Sequence, residues 1–169
     1  MTGTWEALRE GRADIVVAAG EGPAGGGYKA VPVGTLQFVF CVTATHPLAK
    51  LQRPLARGDL LQHTAVVVGD GARSSNDRTI GLLSGQRRII VPHMHAKIAA
   101  QAAGLGHGFV PRACVRTELE TGILVELEVE APRPDEPFFL AWRPDHMGEA
   151  LKWWRQRLDR QLLPGILPY

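Results

Sequence analysis

The chain has 169 residues, 45% hydrophobic and 21% charged, and 19 basic side chains against 17 acidic ones leave a net charge of +2. Such a chain forms one globular domain, or two small lobes wound from one chain, and buries enough apolar surface to need no disulfide or metal staple. The near-balanced charge excludes the concentrated basic face of a nucleic-acid binder, and no apolar run approaches the length of a membrane span.

The N-terminus, MTGTWEALREGRAD, has no apolar signal core, which points to a cytoplasmic protein. Trp5 and Leu8 share one helical face there, and Gly11 is placed to end the helix. ADIVVAA reads as a strand covered on both faces, and GEGPAGGG as a loop. VGTLQFVFCVTA is a long β-rich run, and Pro47 in HPLAK stops it. PLARGDLLQ predicts a short helix, HTAVVVG a buried strand, DGARSSNDR a polar loop and RRIIVP a strand. MHAKIAAQAAGLG predicts a helix closed by glycine, HGFVPR a short strand and ACVRTELETG a short helix. ILVELEV and PFFLAW predict two more strands, on either side of the proline-rich APRPDEP. The last helix sets Leu151, Trp154, Leu158 and Leu162 in one apolar stripe, making Trp154 a core residue and leaving Trp153 partly exposed. Cys41 and Cys114, both inside apolar runs, are expected as buried thiols and not as a disulfide.

Strands alternating with helices predict α/β architecture with largely parallel sheets. Such sheets take ligands beyond the carboxyl ends of their strands. The segments at those ends are Ala18–Gly20, Val68–Ser75 and Pro92–His95.

None of these segments carries a known reactive motif. His93 and His95 straddle a strand end and a helix start, where their side chains diverge, and no acid or cysteine nearby in sequence completes a metal shell. A helix N-cap neighbourhood, attractive to an anionic or polar group, is the reading preferred to a metal site. The glycines Gly104, Gly106 and Gly108 follow a helix and precede a strand, the reverse of a dinucleotide fingerprint, so they read as a helix cap and close packing. GEGPAGGG lacks the Lys-Ser or Lys-Thr of a phosphate loop, and Ser74 and Ser75 lack a nucleophile elbow. Asp70 and Asp77 read as solvated loop acids.

The order of EALREGRADIVVAA, HPLA, AKIAAQAAGLGHGFVPR, GILVELE and FFLAWRPD, followed by an amphipathic helix, resembles the effector-binding domain of LysR-type transcriptional regulators from Thr4 to about Arg160. The resemblance implies a periplasmic-binding-protein-like α/β fold. Two Rossmann-like lobes would be joined by crossover strands, in TLQFVFCVTA and near PFFLAW, with a small-molecule effector in the cleft. The first lobe would comprise residues 1–41, the second 42–136, and residues 137–169 would return to the first. The family's winged helix-turn-helix head, and the strand–helix–strand that opens its first lobe, have no counterpart in these residues. The expectation is therefore an N-terminally truncated domain with an incomplete first lobe, no DNA binding of its own, and self-association (a dimer, or a tetramer in a full-length protein).

Carried over by position, the resemblance implies effector contacts from Ala18, Ala19 and Gly20, from Gly69, Asp70, Arg73, Ser74 and Ser75, and from Met94 and His95, with Phe109 lining the floor. It implies no catalysis, no metal and no cofactor. Met94, Phe109 and a weakly charged cleft lean toward an aromatic or mixed-polarity effector over a strongly acidic one. The alternatives are a transporter's solute-binding protein, which shares the fold, and a small hydrolase using the Ser74–His95 region.

Overall fold

A computed structural model of the chain describes residues 2–22, 25, 27–69, 85–144 and 148–157. Helix α1 (Thr2–Arg9) is followed by β1 (Ile15–Ala19), β2 (Lys29–Leu36) and β3 (Phe38–Thr43). A 3₁₀ turn (Pro47–Lys50), α2 (Arg57–Leu61), β4 (Ala65–Val68) and β5 (Arg88–Val91) come next. Then come α3 (Met94–Ala102), β6 (Gly108–Pro111), a second 3₁₀ turn (Arg112–Val115), α4 (Arg116–Glu120), β7 (Leu124–Glu126), β8 (Glu136–Trp142) and α5 (Glu149–Arg157). The expected helices and strands among the described residues are present in the expected order, while the expected polar loop DGARSSNDR lies outside them. The one long run expected around VGTLQFVFCVTA is divided at Gln37 into two strands of different sheets.

The chain divides into two compact units, one running to Leu36 and resuming at Asp135, the other lying between Gln37 and Pro134. The first has a sheet of order β1-β8-β2, with β8 antiparallel to both neighbours. Trp5 and Leu8 of α1 pack with Val16, Ala18 and Ala141 on one face of this sheet. Leu151 of α5 packs with Leu140 and Trp142 on the other. The alternation that makes this possible is the period-two geometry of a strand. Pro32 cannot donate to a ladder, and it sits accordingly on an edge strand, at a register shift before Gly34.

In the second unit β3 is the middle strand of the sheet β6-β3-β7, and β4 pairs with β5. Isolated parallel bridges link Ala65 to His107 and Leu55 to Val129. Val39 and Cys41 face one layer with Ile98 of α3, while Phe40 and Val42 face the other with Leu48 and Leu55.

Three expectations are corrected here. Among the described residues the sheets are mostly antiparallel, because β3 and β8 each lie between antiparallel neighbours, and the one parallel strand pair is β4–β5. Trp154 is 48% exposed, since among the described stripe residues Leu151 alone reaches the sheet; Leu158 and Leu162 lie outside the described residues. Cys41 is fully buried and free, but Cys114 is exposed, because the 3₁₀ turn that carries it directs Val115 inward instead.

Candidate functional site

The expected site residues of the first unit lie where β1 ends. Ala18 is 2% exposed and its side chain belongs to the core beneath α1, so a ligand at this end could meet only its two successors. The Ala19 carbonyl accepts a hydrogen bond from Trp5 Nε1 at 3.1 Å. Gly20 turns the chain at a φ of 69°, where glycine carries no penalty, and its N–H donates to the Pro137 carbonyl at 2.8 Å.

In the second unit β4 and β5 run parallel, so Gly69 and the start of α3 stand at the same end of that pair. Gly69 is exposed, and its N–H donates to the Val91 carbonyl at 2.9 Å. His93 caps α3, its Nδ1 accepting from the Ala96 N–H at 3.2 Å. His95 is exposed, with its ring centroid 6.2 Å from that of His93. Among the described residues no group of three or more His, Cys, Asp or Glu is placed to hold a metal ion. Met94 packs against the layer containing Val39 and Ile98, whereas Phe109 packs against the opposite layer, edge-on to Phe40. The sheet separates these two side chains, because adjacent residues of β6 point to opposite faces. Asp70, Arg73, Ser74 and Ser75 lie outside the described residues.

Two polar side chains on the inner face of α3 escaped the sequence reading. Lys97 is 8% exposed and Gln101 is fully buried. Gln101 Nε2 donates to the Gly108 carbonyl at 3.0 Å. Burial, then the positive charge of Arg133, pushes the Lys97 amine down to about 8. A signal existed: counting from Met94, Lys97 and Gln101 occupy the i+3 and i+7 positions that an amphipathic helix normally fills with apolar residues.

A second polar group lies inside the same unit. His107 is 2% exposed, and its Nε2 stands 3.0 Å from Gln86 Nε2 and 3.2 Å from the Leu60 carbonyl. Burial first, then the charges of His46 and His63, outweigh that carbonyl contact and push the His107 imidazole down to about 4. These contacts tie α2 and the approach to β5 to His107, the bridge residue just before β6, so the group reads as a structural core.

Solved structures share this architecture. The regulatory domain of MetR, a LysR family regulator from N. meningitidis, superposes with a TM-score of 0.71 over 96% of this chain and 76% of that one, at 19% identity. The effector-binding domain of QuiR in complex with shikimate does so with a TM-score of 0.64 over 90% of this chain and 73% of that one, at 17% identity. The fold is thus a periplasmic-binding-protein-like α/β fold. The chain belongs to the LysR substrate binding domain family, whose sequence pattern it matches over residues 1–163.

Among relatives, the uncharacterized HTH-type transcriptional regulator YeeY of Escherichia coli K12 is 37% identical over 157 residues, covering 92% of this chain and 51% of that protein. The HTH-type transcriptional activator AllS of Salmonella paratyphi A is 36% identical over 151 residues, covering 89% of this chain and 49% of that protein. The chain therefore spans about half the length of the relatives it matches.

Proposed function

We propose that this chain is the small-molecule-sensing part of a cytoplasmic transcription regulator, without catalytic activity of its own. The family match over residues 1–163 carries the reading. The residues offered to the effector are Ala19 and Gly20 in the first unit, with Ala18 behind them. In the second unit they are Gly69, Asp70, Arg73, Ser74, Ser75, Met94 and His95, with Phe109 on the far layer. An effector acts by binding one arrangement of the domain more tightly than another, and it shifts the balance only by that difference in affinity. The readout is DNA binding by a helix-turn-helix head, as the names of the relatives suggest. A transporter's solute-binding protein would share the fold, but the relatives' names favour regulation.

Association of the sensing domains with one another is part of this reading. Strand β1 has one ladder partner, β8, among the described residues, and an unpaired strand edge favours pairing with another chain. Trp153 and Trp154 add exposed apolar area.

The test is a thermal-unfolding screen of the 169-residue chain against a panel of small metabolites. A true effector at a hundredfold excess over its Kd stabilises by about 2.7 kcal/mol. The same chain is expected to show no sequence-specific affinity for duplex DNA. Specific, sub-micromolar binding in an anisotropy titration at near-physiological salt would overturn the assignment of its role.

A further inference from the structure

Lys97 is a cation placed where three local effects oppose its charge. Its side chain is buried, which disfavours the ammonium form. The guanidinium of Arg133, itself stacked over the Phe38 ring, adds a like charge. Lys97 also belongs to the opening turn of α3, which contains no acidic residue and where the helix dipole already favours anions. Among the described residues no carboxylate pairs with it, although ion pairs form elsewhere, as at Arg53–Asp59 and Arg112–Glu126.

The side chain is nevertheless not completely sealed, since 8% of Lys97 stays exposed. The sealed polar side-chain atoms without a partner, among the described residues, are Gln101 Oε1, His107 Nδ1, Trp142 Nε1 and Arg143 Nε; Lys97 Nζ is not one of them. The amine lies beside Gly108. A Cβ built there would stand 3.2 Å from Lys97 Nζ, 3.2 Å from Gln101 Nε2 and 3.1 Å from the Val66 carbonyl. The missing side chain at Gly108 therefore leaves room for the lysine head, beside a Gln101 Nε2 that donates to the Gly108 carbonyl. An uncompensated buried charge is costly, and a ligand that supplies the opposite charge removes the cost.

We propose that Lys97 is the anion-recognising residue of the sensing site, holding a carboxylate or phosphate group of the effector. The word effector rests on the function proposed above; the anion site itself does not. The proposal moves the expected ligand from a molecule of mixed polarity to one with at least one anionic end.

The test uses the full chain with its lysine amines labelled as ¹³C-methyl groups, and the Lys97 resonance is assigned by its loss in Lys97→Met. Cyclohexanecarboxylate, the neutral cyclohexanecarboxamide and inorganic phosphate are titrated at constant ionic strength. One of the two anions is expected to move the Lys97 signal and raise its pKa, with the amide inert; which anion succeeds tells carboxylate from phosphate. Lys97→Met should weaken that binding at least about tenfold, the loss expected for a charge-assisted hydrogen bond, and Lys97→Arg should largely retain it. Lys97→Met should also raise the melting point of the ligand-free chain, because it removes an unpaired buried charge. No response of Lys97 to either anion, or equal anion affinity in Lys97→Met, overturns the proposal. A metabolite that stabilises wild type and Lys97→Met equally also overturns it, and leaves the sensing function standing.

Discussion

His107 shows how one buried side chain sets a pH limit on the fold. Its imidazole titrates near 4 in the folded chain and near 6.5 when unfolded. Between those values the unfolded chain binds the extra proton and the folded chain does not, so stability rises with pH. The contribution is complete above 6.5 and is lost as pH falls toward 4. It amounts to about 3 kcal/mol. His46, lowered by burial and by His63, acts with the same sign. Urea midpoints measured across this window should fall less in His107→Gln than in wild type; superimposable profiles would place the acid sensitivity elsewhere. Glycine positions divide as sharply. A methyl group at Gly106 would overlap the Thr64 carbonyl, just before β4, which accepts from the His107 N–H, so Gly106→Ala should cost about 1–3 kcal/mol. Gly58 lies in α2 with open space around it, so Gly58→Ala should stabilise by about 0.5–1 kcal/mol. Thermal unfolding of the two variants checks both signs.

Among the elements, α3 decides most, because it brings Met94, Lys97 and Gln101 to one layer and presents His93 and His95 at its start. The cap bond of His93 gives an imidazole a structural use at that position. His93→Ala should destabilise by about 0.5–2 kcal/mol, His93→Asp should restore most of that loss, and His95→Ala should change little. A chelator that lowers the melting point of wild type as much as either alanine variant would instead establish a metal site. Element positions were legible because helix and strand periods differ, and Gly11, Pro47 and the glycines after α3 punctuate them. The break at Gln37 was not legible. VGTLQFVF reads as one continuous β-rich run, and nothing local says that Leu36 pairs with Glu136 while Phe38 pairs with Pro111.

At the scale of the whole molecule, the edge of β1 that is unpaired among the described residues and the exposed Trp153 and Trp154 are the surfaces through which we expect association. The Ala19 carbonyl is already taken by Trp5. We expect light scattering at tens of micromolar to report a dimer or larger, and the double variant Trp153→Ser, Trp154→Ser to shift the distribution toward monomer. A monomer in wild type would mean that these surfaces need no partner.

The amino-acid sequence alone determined the family and the order of elements, because HPLA and AAGLGHGFVPR record local turn, cap and packing requirements in a fixed succession. Apart from the break at Gln37, it also indicated where strands end, since the apolar runs stop at Gly, Pro or a polar loop. Which side chains stand at those ends was decided only in three dimensions. Ala18 and Ala19 are alike in sequence, yet one is core and the other near-surface, because neighbouring strand residues face opposite layers. The same alternation sends Phe109 away from Met94. The contact that sets Lys97 apart forms only where α3 lies against β6 and the bare Cα of Gly108 admits its amine. Local propensity does not encode such a contact, because the two residues meet only through the packing of a helix onto a sheet.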